Sequence, residues 1–172
     1  MKHLVLGGAR SGKSRFAEQE LGLISEISGL QKIYIASSQA SDSEMRERII
    51  HHQALRDSSW ITVEEPIHLG EAIRENDSPN NCILIDCLTL WLNNCLLNKV
   101  WQEERWDFID ALENAPSPVI LVGNEVGNGI TPANPLSRKF VDEAGRLHQE
   151  LATLCDRVSL VCAGIPLALK PQ

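Results

Sequence analysis

The sequence predicts an α/β fold, a mostly parallel sheet flanked by helices. Three observations carry that prediction. Short apolar runs of strand length recur along the chain, at residues 3–6, 32–36, 60–63, 82–85, 119–122 and 158–162. Several are nearly continuous in Val, Ile and Leu, which suits strands covered on both faces. Segments of helical pattern alternate with them, and that alternation implies parallel strands joined by right-handed crossovers.

The elements follow in order. After the first run, residues 13 to about 24 read as a helix. The second run leads to a helix from 41 to about 56, where Ser41 and Glu44 have the spacing of a capping box. Residues 75–81, Glu-Asn-Asp-Ser-Pro-Asn-Asn, are a polar turn before the run at 82–85. Helices are expected at 88–97, 102–113 and about 135–154. Residues 123–135 are rich in Gly, Pro and Asn and form a loop after a strand, the place where α/β sheets carry ligands. Nothing marks a boundary or a repeat, so residues 1–172 are expected to form one nucleotide-binding domain.

Composition narrows the function. The net charge of −7, without any Lys/Arg run, argues against a nucleic-acid partner. The five cysteines, Cys82, Cys87, Cys95, Cys155 and Cys162, include no C-x-x-C pair. Cys82, Cys87 and Cys162 lie in apolar runs and read as small core residues, a usage that fits a reducing compartment. No apolar stretch approaches a membrane span, so a cytoplasmic protein is expected.

The sharpest motif is Gly7-Gly8-Ala9-Arg10-Ser11-Gly12-Lys13-Ser14, a complete G-x-x-x-x-G-K-[ST] between a strand and a helix. Backbone N–H groups of such a loop curl around phosphates, and the helix N-terminus adds partial positive charge. Lys13 supplies a point charge for the β/γ phosphates, and the Ser14 hydroxyl suits Mg²⁺. The loop alone does not separate kinase, ATPase and GTPase. A second acidic element, Ile83-Leu84-Ile85-Asp86, ends a strand in a carboxylate. Asp86 holds Mg²⁺, directly or through water, or caps the following helix, or does both.

His51 and His52 sit on the expected 41–56 helix. At ~100° per residue, His52 falls beside Met45 and Ile49, while His51 turns away toward Glu44, Glu47 and Arg48. Spacing alone leaves His51 open between a surface histidine and a nucleophile.

Several segments, taken together, resemble one family. They are GGARSGKSRFAE (7–18), YIASSQASDSEMRERIIHHQALR (34–56), W-x-T-V-E-E-P (60–66), DCLTLWLNN (86–94), GNEVGNGITPANPLSRKF (123–140) and DEAGRLHQELATLCDRVSLVCAGIPLALK (142–170). The family is the bifunctional adenosylcobinamide kinase / adenosylcobinamide-phosphate guanylyltransferases of cobalamin biosynthesis. The resemblance covers nearly the whole chain, and the pairing of E-M-x-x-R-I-x-H-H with N-E-V-G-x-G-I makes it specific.

That resemblance implies a RecA-like sheet and two reactions. ATP or GTP phosphorylates the aminopropanol hydroxyl of adenosylcobinamide. GTP then guanylylates a histidine, releasing pyrophosphate, and the GMP passes to the cobinamide phosphate. The first histidine of the pair, His51, would be the nucleophile, with Lys13 as the other catalytic group. Nucleotide contacts would come from Gly7, Gly8, Ala9, Arg10, Ser11, Gly12, Lys13, Ser14, Ala36, Ser37, Ser38, His52, Gln53, Ala54, Leu55, Glu64 and Asp86. Mg²⁺ would sit at Ser14 and Asp86, and a homotrimer is implied. The family position at Asp86 is Glu or Asp, and the one at His148 is often Asn. Competing readings are a small-molecule kinase without guanylyl transfer, which has no use for His51, and a RecA-like nucleotide switch.

Overall fold

The computed structural model describes residues 1–38 and 57–170. Among these, strands β1 (Lys2–Gly7), β2 (Gln31–Ala36), β3 (Trp60–Glu64), β4 (Asn81–Asp86), β5 (Val119–Asn124), β6 (Arg157–Cys162) and β7 (Ile165–Lys170) form one sheet. Its order is β3-β2-β4-β5-β1-β6-β7, parallel throughout except for β7, which runs antiparallel to β6. The helices are α1 (Lys13–Ser28), α2 (Leu69–Asn76), α3 (Leu88–Asn98), α4 (Trp101–Asn114) and α5 (Pro135–Leu154).

The inner apolar runs behave as strands buried on both faces, whereas β3, at the sheet edge, is partly exposed. Along β4, Ile83 and Ile85 join the core formed with α2, α3, α4 and α5, while Cys82 and Leu84 join the core under α1. The alternation follows from the two-residue period of a strand. On the larger side Trp91 packs against Trp101 and Phe108, with centroids 5.3 and 4.7 Å apart. α2 presses so close to α4 that a side chain at Gly70 would collide with Asp107, and Arg74 binds Asp107 and Asp110 beside it.

Several expected elements extend or change. α1 runs on to Ser28 and stops where Gly29 turns left-handed, at φ 68°. The polar turn expected at 75–81 is shorter, because Glu75 and Asn76 still belong to α2 and Asn81 opens β4. Cys162 is exposed rather than buried: it lies at the far end of β6, past the last residue of β1. Cys82 and Cys87 are buried as expected. The helix expected at 41–56, with Ser41, Glu44, His51, His52, Gln53, Ala54 and Leu55, lies outside the described residues. Among the described residues, no helix is long and apolar enough to cross a membrane.

The topology fixes where a ligand fits. β1 and β5 are neighbours, but α1 leaves β1 on one face and α5 leaves β5 on the other. Such a reversal opens a crevice at the carboxyl ends of the strands. The Glu125 N–H closes its floor by donating to the Gly7 carbonyl at 3.0 Å.

Candidate nucleotide site

β1 delivers the chain to the crevice at Gly7, and α1 takes it up at Lys13. Between them the loop folds on itself: the Ser11 N–H donates to the Gly8 carbonyl at 3.3 Å. Arg10 has φ 57°, and Gly12, the residue capping α1, has φ 93° with no side-chain cap. Gly12 needs that backbone state to turn the loop into the helix, and a β-carbon there would strain it. The first N–H groups of α1 therefore keep their outward direction for a ligand. A β-carbon on Gly8 would meet nothing within 4 Å, so the loop is open on that side. Lys13 is buried, and its ammonium donates to the Gly8 carbonyl at 3.1 Å.

Asp86 ends β4 half-exposed. It does not cap α3, whose N-cap is Cys87 with no side-chain cap bond. In register, Asp86 lies beside Ala36, and Ala36 beside Glu64. The three form one row across the carboxyl ends of β4, β2 and β3, with each strand ~4.8 Å from the next. Glu64, on the edge strand, is exposed. The Cys87 thiol senses both charged neighbours. Burial first, then the Asp86 carboxylate, push it up to about 11, while Lys13 opposes them.

Ser37 is fully buried and works as a clip. Its hydroxyl donates to the Cys87 carbonyl at 2.7 Å and accepts from the Cys87 N–H at 2.9 Å. Asn94 on α3 adds a second clip, donating to the carbonyls of Ser37 and Pro66 at 3.0 and 3.1 Å. Thr89 Oγ1 accepts from the Asn124 N–H at 2.7 Å and ties α3 to the end of β5. Sequence reasoning missed Asn94 and Thr89. Both stand in the quoted DCLTLWLNN segment, but their partners are backbone atoms far along the chain. His148 lies against the end of β5, its Nε2 3.0 Å from where a β-carbon on Gly123 would be. Burial lowers its pKa, and Glu125 opposes the shift.

The donor set suits a hard cation. Ser14 offers a hydroxyl in the first turn of α1 and Asp86 a carboxylate at the end of β4. Among the described residues, no three His, Cys, Asp or Glu side chains converge into a cage. Mg²⁺ uses few protein oxygens and fills its shell with water and phosphate, so these two residues fit it.

A family model described as cobinamide kinase / cobinamide phosphate guanyltransferase matches residues 3–169. The chain belongs to this family. A bifunctional adenosylcobalamin biosynthesis protein, CobP, from Pseudomonas aeruginosa is 47% identical over 175 residues, covering 100% of this chain and 99% of the relative. Its counterpart CobU from Escherichia coli is 40% identical over 186 residues, covering 99% and 100%. CobU from Salmonella typhimurium is 41% identical over the same length. The fold is also similar to that of a solved ATPase domain, with a TM-score of 0.53 at 13% identity, over 92% of this chain and 68% of that one. That likeness concerns the fold alone. The chain is thus a family enzyme on an α/β nucleotide-binding fold. The 7–14 loop, Ala36, Ser37, Ser38, Glu64 and Asp86 lie at or just past the carboxyl ends of β1, β2, β3 and β4. His51, His52, Gln53, Ala54 and Leu55 lie outside the described residues.

Proposed function

We propose that this chain phosphorylates adenosylcobinamide with ATP or GTP and then converts the product to adenosylcobinamide-GDP by way of a guanylyl-histidine. One observation carries the reading: a full-length match to a family of kinases and guanylyltransferases, in a chain whose phosphate loop opens at the switch point of the sheet.

In this reading the backbone N–H groups from Gly7 to Ser14 cradle the triphosphate. Lys13 leaves the Gly8 carbonyl to neutralise the transferring phosphate. Ser14 and Asp86 hold Mg²⁺, which supplies charge neutralisation on the triphosphate oxygens when bound. Ala36, Ser37, Ser38 and Glu64, together with His52, Gln53, Ala54 and Leu55, take the remainder of the nucleotide. Because the Ser37 hydroxyl is committed to Cys87, that residue acts through its backbone and by shaping the row.

Guanylyl transfer needs a nucleophile, and His51 is assigned that role. Its neutral imidazole attacks the α-phosphorus of GTP. A P–N bond forms and the P–O bond to pyrophosphate breaks, with the leaving charge held by the phosphate loop. The substrate phosphate oxygen then attacks the same phosphorus, the P–N bond breaks, and the imidazole is released. One unit spanning residues 1–172 serves both reactions, as a cytoplasmic homotrimer.

The test is to incubate the protein with α-labelled GTP, with and without adenosylcobinamide phosphate. Acid-labile label on the chain that is discharged by the acceptor supports the reading. A protein that phosphorylates adenosylcobinamide but never takes up label is a kinase only.

A further inference from the structure

β6 runs beside β1 with Val161 level with Gly7, and it continues one residue past the end of β1 before reversing into β7. Only Ala163 and Gly164 make the reversal, between the paired residues Cys162 and Ile165. Both have positive φ, 52° and 81°. Two-residue turns of that kind match the twist of the strands they join. The turn is therefore tight, and it sits at the height of the phosphate loop.

Three contacts tie the hairpin to the loop. The Gly164 N–H donates to the Ser11 carbonyl at 2.7 Å. A β-carbon on Gly12 would come within 3.2 Å of the Gly164 Cα. One on Gly7 would come within 2.6 Å of the Val161 carbonyl oxygen. Gly7 and Gly12 thus leave room for the hairpin, and Gly7 leaves room for the Ser11 side chain as well. The contacts also set a direction. In a trans peptide the C=O and the next N–H point to opposite sides. Holding the Ser11 carbonyl against Gly164 turns the Gly12 N–H away from the hairpin.

We propose that the Ala163–Gly164 turn braces the phosphate loop and that Gly164 is a positioning residue for the nucleotide. The proposal rests on residues 7–14 binding phosphate and adds what keeps them in the binding shape before the nucleotide arrives. A loop held in advance loses less freedom on binding, in ground state and transition state alike. Loosening it should raise KM and leave kcat unchanged.

The Gly164 site itself separates backbone from bulk. A β-carbon there would meet only the Arg15 Nη2, at an ordinary 3.7 Å, so a substitution acts through φ. Asn tolerates positive φ and Val does not. Gly164→Val should weaken GTP binding by about tenfold, measured by equilibrium dialysis, and raise KM equally, whereas Gly164→Asn should restore most of the affinity. Gly29→Val is the control. It imposes the same strain at the end of α1, at φ 68° and far along the helix from the loop, and should lower Tm without changing GTP affinity. GTP affinity unchanged in Gly164→Val, or lost equally in Gly29→Val, overturns the brace. If Lys13→Ala binds GTP as well as the unsubstituted chain, the phosphate-loop reading itself fails. Should Gly164→Val not fold, amide exchange in the unsubstituted protein decides. The Gly164 N–H should be protected and slow further when GTP binds, and no change on binding overturns the proposal.

Discussion

The Lys13 ammonium rests on the carbonyl of Gly8, five residues back in its own loop, at 3.1 Å. A buried cation that donates to a loop carbonyl is held where an incoming phosphate can take it over. Lys13→Ala should therefore cost both reactions on the order of 100-fold in kcat or more. Phosphorylation of adenosylcobinamide and release of pyrophosphate from GTP are the two assays. Kinase turnover within a few-fold of the unsubstituted chain would refute the role.

Asp86, at the end of β4, and Ser14, in the first turn of α1, both offer hard oxygens. Turnover should require Mg²⁺, and Asp86→Asn should raise the Mg²⁺ concentration needed for half activity by roughly tenfold or more. Since Asp86 caps no helix, that variant should lose little stability. Full turnover in excess chelator without added divalent ion speaks against the site.

The cores of β1, β2, β4 and β5 were legible because both faces are buried, so apolar residues run nearly without interruption, and β3 and β6 also read as strands although β3 is a partly exposed edge strand and Ser159 interrupts β6. β7 was not, because Ile165, Leu167 and Leu169 are exposed on an edge strand whose pairing depends on the Ala163–Gly164 turn. α2 was missed as well. It has eight residues, holds Gly70 in its first turn, and starts at His68 without a side-chain cap. Its local signals, Glu71 in the first turn and Arg74 in the last, are few, and packing on α4 supports it. At the site, the phosphate loop and Asp86 were legible as motifs. The Gly164 brace and the Asn94 clip were not, since each joins backbone atoms distant in sequence. Cys162 misled because an apolar run does not reveal where its neighbouring strand ends.

His3 should make the fold acid-sensitive. It is fully buried, its Nε2 lies 2.9 Å from Ser159 Oγ, and Phe16 packs edge-on against it. Burial first, then the charge of Arg157, lower its pKa from 6.5 to about 4. The unfolded chain then binds the proton more readily than the folded one. The stabilisation is complete above about pH 6.5 and is lost as pH falls toward 4. The difference between those two values corresponds to about 3 kcal/mol at most. His148, lowered in the same direction, adds to the trend. Urea titrations at pH 7 and 5 should show the loss, and His3→Gln should reduce it. An identical pH dependence in His3→Gln would contradict the assignment.

Thiol chemistry should find one residue. Burial raises Cys82 and Cys87 to about 11 and Cys95 and Cys155 to about 12, whereas Cys162 is exposed. A disulfide reagent on the folded protein should modify Cys162 alone and reach the other four only after denaturation. Rapid modification of a second cysteine in the native state would show that a buried thiol opens.

The central claim is that GMP becomes bound to His51 and to no other residue. The most direct measurement is peptide mapping by mass spectrometry of the protein after GTP treatment at mildly alkaline pH, where the phosphoramidate survives and the imidazole is neutral. The account predicts one GMP on His51 and none in His51→Ala, which still phosphorylates adenosylcobinamide. An adduct on His52, or stoichiometric GMP on His51→Ala, would contradict it.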